Sequence, residues 1–190
     1  MSWAVNGFRC FGTGDPLYEA YHDHEWGVPP GSSADERELF ERLSLEAFQS
    51  GLSWITILRK REAFRAAFGG FDPAVVAGFD QDDVQRLLGD PGIVRNRLKI
   101  EATIGNARAL LALHERGERL ADVFDAHRPE PRVVRPVSFA EVPASTVQSA
   151  ALAKQLKRLG FRFVGPTTAY AAMQALGYVD DHLAGCPVVL

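Results

Sequence analysis

Cys10 and Cys186 are the chain's two cysteines, and each has a histidine near it in sequence, His22 after the first and His182 before the second. Two thiols and two imidazoles are the donor set of a tetrahedral zinc site. Four protein ligands leave no open position, so such a site would be structural rather than reactive. His182 and Cys186 are four residues apart, a spacing that predicts both on one face of a helical turn. The first pair is wider, as expected where a loop carries one ligand toward the other. A site of this kind would clip the two ends of the chain together and take freedom from the unfolded state. His24, two residues beyond His22, competes for the same role, and the plainer alternative is two inert cysteines with unrelated histidines. His114 and His127 have no such company and read as surface residues.

A second group could bind a flat ligand. Tyr18, Tyr21 and Trp26 crowd the segment after Cys10, Trp54 lies further on, and Glu46 sits in the largely apolar run from Leu45 to Trp54. A charge among apolar neighbours needs a partner or a purpose. Aromatic faces with one carboxylate suit a planar cation: the rings stack on it and the carboxylate accepts from its N–H groups. The alternative is that the rings are core and Glu46 pairs with an arginine.

The third group is basic. Lys154, Lys157, Arg158 and Arg162 surround Gly160, a short hairpin carries Phe163 and Val164, and Gly165-Pro166-Thr167 opens another helix. This resembles the helix-hairpin-helix element of many DNA repair proteins. Glycine admits a close phosphate, and the free N–H groups and dipole of the following helix favour the anion. Such a contact reads the DNA backbone and no sequence. A plain helical hairpin with a solvated basic face is the alternative. Arg59-Lys60-Arg61 reads as a solvated helix face, and Arg95-Asn96-Arg97-Leu98-Lys99 as a second place for phosphate contact.

The elements that must position these groups are helical. Ser33-Ala34-Asp35-Glu36 is a capping box, predicting a helix over 34–49 that Gly51 ends. Ser53 caps a helix over 54–68, stopped by Gly69-Gly70. Asp72-Pro73 opens a short helix, Asp80 caps another ending near Gly89, and a longer one runs over 95–114. The stretch from Arg128 to Pro143 holds four prolines and predicts an irregular connection over about 128–144 between two helical lobes of a single domain. Helices over 145–159 and 167–176 follow, the latter closed by Gly177. No segment alternates as a strand does, so the fold class is all-α.

With 190 residues and a hydrophobic fraction of 46%, the chain can build a real core. No run is long and apolar enough to span a bilayer, and the first residues lack the pattern of a signal peptide, so the reading is intracellular and cytoplasmic, with no membrane partner. A net charge of -3 excludes a strongly basic nucleic-acid coat protein. It leaves room for an enzyme that grips a few phosphates with a local basic face.

Taken together, Asp15-Pro16-Leu17-Tyr18, Tyr21-His22-Asp23-His24-Glu25-Trp26-Gly27-Val28-Pro29 and the run from Glu46 to Trp54 resemble the 3-methyladenine DNA glycosylase I family. So do Ile104-Gly105-Asn106-Ala107-Arg108-Ala109, the segment 160–165, Asp181-His182 and Gly185-Cys186. The resemblance spans nearly the whole chain. It implies a helix-hairpin-helix DNA glycosylase fold whose termini are tied by structural zinc on Cys10, His22, His182 and Cys186, choosing His22 over His24. It implies an enzyme that flips and excises 3-methyladenine from double-stranded DNA, leaving the free base as product; a monofunctional enzyme without lyase activity is expected, because no lysine near the proposed pocket suggests a Schiff-base nucleophile. It implies recognition of the base by Glu46 and Tyr21, a pocket lined by Trp26 and Trp54, DNA contacts by Gly165, Thr167 and Arg162, and a loop with Gln49 and Leu52 that enters the duplex. One feature departs: the family often has a tryptophan shortly after the first cysteine, where this chain has Cys10-Phe11-Gly12-Thr13-Gly14, so Phe11 is the expected substitute. A monomer is expected. Two other readings stand beside this one: a non-catalytic DNA-binding module, and a helical domain that binds a small purine or a protein.

Overall fold

A computed structural model describes residues 8–29 and 36–188. Among these residues every regular element is helical. Asp15 starts α1 (Pro16–His24), its carboxylate accepting from the Leu17 and Tyr18 N–H groups, with proline at the first helical position. Then come α2 (Glu36–Gln49), α3 (Trp54–Ala67), α4 (Pro73–Ala77) and α5 (Gln81–Gly89). They are followed by α6 (Arg97–Glu115), α7 (Leu120–Asp125), α8 (Val147–Arg158) and α9 (Pro166–Ala175). The helices expected from sequence are present within about two residues at their ends, while α1 and α7 were not expected. Ser33 of the expected capping box lies outside the described residues. The Glu36 carboxylate instead accepts from the Leu120 and Ala121 N–H groups, at 2.7 and 3.1 Å, and so caps α7 from a distance.

The core forms around α2, which packs against α3, α6, α7 and α9. Phe40, Phe48, Phe64, Phe68 and Phe71 are fully buried, with Phe48 and Phe64 ring centroids 4.6 Å apart. Cutting one of these rings back to alanine would cost ~3–5 kcal/mol, the transfer free energy plus the cavity left behind. The pair α8 and α9 forms the hairpin, and α9 lies on α2.

The ends of the fold meet through α9. Gly177 closes it at φ +73, and a Cβ there would stand 2.3 Å from the Gly27 carbonyl oxygen, so only glycine lets this turn approach the loop after α1. Arg42 staples the same junction, its Nη1 donating to the carbonyls of Val28 at 3.0 Å and Ala175 at 2.7 Å. Residues 128–144 run without an α-helix, with one 3-10 turn at Phe139–Glu141. Among the described residues no helix is long and apolar enough to cross a membrane.

Candidate functional site

Helix α1 carries His22, and a loop brings Cys10 back onto it, the Cys10 N–H donating to His22 Nε2 at 3.3 Å. From the other end, the Cys186 sulfur lies 3.5 Å from His22 Nε2 and 3.4 Å from His182 Nδ1. The Cys10 sulfur lies 3.6 Å from His182 Nδ1. The four ligand atoms fall within 4.8 Å of one another, and His24 is not among them. His182 and Cys186 meet through a non-helical turn, with the Cys186 N–H bonded to the Leu183 carbonyl, rather than through the helical turn expected from their spacing.

The surroundings fit a metal. His22 Nδ1 lies 2.8 Å from Asp23 Oδ1, and Asp23 is held by Arg9. His182 Nε2 faces the Trp26 carbonyl at 3.3 Å. An acceptor at each outer nitrogen takes the N–H, so the inner nitrogen presents its lone pair toward the two sulfurs. The Leu183 N–H donates to the Cys10 sulfur at 3.2 Å, which favours a thiolate. Burial first, with the neighbouring Cys186 adding to it, pushes the Cys10 thiol up to about 12, and burial followed by the His22 charge pushes the His182 imidazole down to about 4. A bound divalent cation reverses the first effect and uses the second, since it takes thiolates and neutral imidazoles as ligands. This cluster can therefore hold a metal ion.

Next to it stands an aromatic cluster. The Phe11 ring lies 4.9 Å from Tyr18, 5.0 Å from Trp26 and 4.9 Å from His22, so it joins the pocket rings to the ligand cluster. Tyr21 lies 5.2 Å from Trp54. Trp26 leans toward the metal ligands, 4.6 Å from the His182 ring. Glu46, 6% exposed on α2, makes no hydrogen bond or ion pair with any described residue, so the alternative of an arginine partner is not realised. The nearby acidic residue that does take one is Glu41, bonded to Arg65 at 2.8 Å. Burial pushes the Glu46 carboxyl up to about 8. Burial first, and the Glu46 charge next, raise the hydroxyls of Tyr18 and Tyr21 above their ordinary range. The Trp54 indole N–H is buried and likewise has no partner. An acceptor and a donor, both buried and unpaired in a region of tilted aromatic rings, are groups that a ligand with its own N–H and lone pair would satisfy.

Gln49, half-buried, ends α2, and the loop after it carries Leu52, 40% exposed. In the hairpin, Asn106 of α6 clasps the Arg162 backbone, donating to its carbonyl at 3.1 Å and accepting from its N–H at 2.7 Å. The Arg162 guanidinium donates to the Glu101 carbonyl at 2.8 Å. Gly165 precedes α9 without a side-chain cap, and a Cβ there would meet nothing within 4 Å, so this helix start is open to an external group. Lys154, Lys157 and Arg158 are exposed on α8 and line a groove of about 370 Å³ with Ala150, Ala153 and Pro166.

Other basic side chains differ from expectation. Arg59 pairs with Asp15 and Arg61 with Glu25, and Lys60 donates to the Pro91 and Gly92 carbonyls, so this face is tied to neighbouring elements. Lys99, expected near phosphate, is buried at 7% exposure and donates instead to the Phe48 and Ser50 carbonyls at 2.9 and 2.6 Å. Asn96 caps α6 through the Lys99 N–H. Tyr18, grouped with Tyr21 from sequence, shares a face of α1 with it through their three-residue spacing. One ring of this cluster was not expected. Phe139, 6.3 Å from Phe11, arrives from the irregular connection and left no signal.

A family profile described as methyladenine glycosylase matches residues 11–189. The chain is 51% identical over 173 residues to DNA-3-methyladenine glycosylase 1 of Escherichia coli (strain K12), covering 90% of this chain and 91% of that protein. Among solved structures, a crystal structure of a 3-methyladenine DNA glycosylase I superposes with a TM-score of 0.89 at 50% identity, covering 95% of this chain and 98% of the other. A tyrosine-to-phenylalanine variant of a 3-methyladenine DNA glycosylase I in complex with 3-methyladenine superposes with a TM-score of 0.87 at 35% identity, covering 97% of each chain.

Proposed function

Because the chain belongs to the methyladenine glycosylase family, we propose that it is a base-excision repair enzyme that hydrolyses the N-glycosidic bond of 3-methyladenine in alkylated double-stranded DNA. The observation that carries this reading is Glu46, a buried carboxylate without a partner whose charge acts on Tyr18 and Tyr21, the two rings that pack with Phe11 and Trp54. An N3-methylated adenine in DNA is cationic, planar and already a good leaving group. It needs a site that binds and orients it more than one that activates it. The damaged nucleotide leaves the stack at a cost lowered by its weak pairing. Its base enters between the rings, Glu46 accepts from the base edge and favours the cationic form, and Tyr21 fixes its plane. Water then attacks the sugar and the free base is the product. Glu46 is a recognition residue in this scheme, not the base that activates water. Among the described residues no lysine stands in the pocket to form a Schiff base, which supports a monofunctional enzyme.

The DNA is held on both sides of the pocket. The N–H groups at the start of α9, including that of Thr167, face a phosphate that Gly165 admits closely, with Lys154, Lys157 and Arg158 adding charge. Arg162 contributes by holding the hairpin in shape. Gln49 and Leu52 enter the duplex where the base left. The irregular stretch 128–144 joins two helical lobes of one domain. Cys10, His22, His182 and Cys186 bind zinc, which ties the chain ends and does no chemistry. The protein works as a monomer inside the cell, at the DNA.

Titration with free 3-methyladenine, followed by quenching of tryptophan fluorescence, tests the pocket. Saturable quenching that weakens in Glu46→Gln supports it, and absence of binding by the wild-type protein refutes it.

A further inference from the structure

We propose that Lys99 is a positioning residue for base flipping: its ammonium clamps the turn that presents Gln49 and Leu52. The inference rests on the reading that this turn enters the duplex.

Lys99 extends from α6 to the end of α2. Its ammonium donates to the carbonyls of Phe48 and Ser50 at 2.9 and 2.6 Å, two of the oxygens left unpaired where the helix stops. The residue is 7% exposed, and no carboxylate pairs with it among the described residues. An ammonium buried against two carbonyls is an expensive way to end a helix that glycine already ends. What it adds is rigidity immediately beyond. Gly51 follows at φ +83, the Leu52 N–H donates to the Gln49 carbonyl at 2.7 Å, and Gln49 Nε2 donates to the Leu52 carbonyl at 2.9 Å. The turn is thus closed on itself above and pinned from below. Leu52 is left 40% exposed at its tip. A side chain that must fill the gap left by a flipped base gains from a fixed backbone, because a wedge displaced by about 1 Å loses its fit. The pocket itself does not depend on the clamp: Glu46 precedes both pinned carbonyls, within α2.

The clamp is tested in the intact protein with Lys99→Met and Lys99→Arg, together with Gly51→Ala. The last strains the turn through its positive φ while meeting no neighbour within 4 Å, so it leaves the core intact. Single-turnover release of 3-methyladenine is measured from methylated duplex and from methylated single strands, alongside the affinity for free 3-methyladenine. Duplex release should fall about tenfold or more in Lys99→Met and Gly51→Ala, with single-strand release and free-base affinity within about threefold of wild type, and Lys99→Arg should recover part of the loss. Equal losses on duplex and single strand, or loss of free-base affinity in either variant, would overturn the clamp. So would wild-type duplex release in folded Lys99→Met. Leu52→Gly separates the two ideas: if it alone retains duplex release, the wedge reading fails, whereas if it loses release while Lys99→Met does not, only the clamp fails.

Discussion

The Cys186 sulfur lies 3.5 Å from His22 Nε2, although 164 residues separate the two in sequence. A buried thiol and a half-buried one, each facing an imidazole, fit one bound ion better than an unfilled hydrogen-bond network. Stoichiometric zinc is expected by elemental analysis. Its removal by a strong chelator should lower the melting temperature, because an ion that binds only the folded chain stabilises it. Asp23→Ala, which frees the outer nitrogen of His22, should weaken zinc about 10–100-fold in chelator competition. A chain that melts unchanged without metal contradicts this account.

Glu46 makes stability depend on pH in a direction opposite to that of a paired carboxylate. Its carboxyl is raised from 4.5 to about 8 in the folded chain. The unfolded chain releases this proton near 4.5 while the folded one keeps it to about 8, so stability is highest at low pH and is lost as pH rises through that window. Glu46→Gln removes the effect. The variant should therefore melt higher than wild type at pH 9, by a free energy on the order of a few kcal/mol, with a smaller difference at pH 6. Equal melting differences at the two pH values would show that the carboxylate is paired in solution.

The Phe11 ring, expected in place of the family's tryptophan, lies 4.9 Å from Tyr18 and 5.0 Å from Trp26. Phe11→Ala should weaken binding of free 3-methyladenine about tenfold, in line with the ~0.5–1.5 kcal/mol of an aromatic pair plus lost burial. Zinc content should be unchanged. Undiminished affinity would place Phe11 in the core rather than the pocket.

Asn106 makes both of its bonds to the Arg162 backbone, so Asn106→Ala leaves a donor and an acceptor of the hairpin unpaired. Duplex affinity should fall several-fold, with a shallower dependence on salt as the phosphate contact loosens, and free-base affinity should stay as it was. If the salt dependence is unchanged, the hairpin does not hold a phosphate.

Much of this was readable in the residues. The caps at Asp72 and Asp80 and the glycine stops marked most helices, because these are local signals that the chain obeys locally, whereas Ser53 takes the N-cap place of α3 but turns its hydroxyl to Thr56 Oγ1 instead of a backbone N–H. Helix α1 was missed although Asp15-Pro16 repeats the Asp72-Pro73 start, since its side chains read as ligands and rings rather than as a helical face. The four residues of the Cys/His cluster were legible by type, yet the turn that joins His182 to Cys186 was not, because spacing alone cannot separate a helical turn from a tight loop. Lys99 read as one more exposed cation. Its burial depends on where α6 crosses the end of α2, a tertiary fact with no local trace, and the same holds for Phe139 against Phe11.

Release of free 3-methyladenine from methylated duplex DNA by the purified, zinc-loaded protein, with Glu46→Gln alongside, tests the central claim most directly. Release by the wild-type protein, with the variant at least about tenfold slower while still binding duplex, is the expected result. Release by neither protein, or equal release by both, contradicts it.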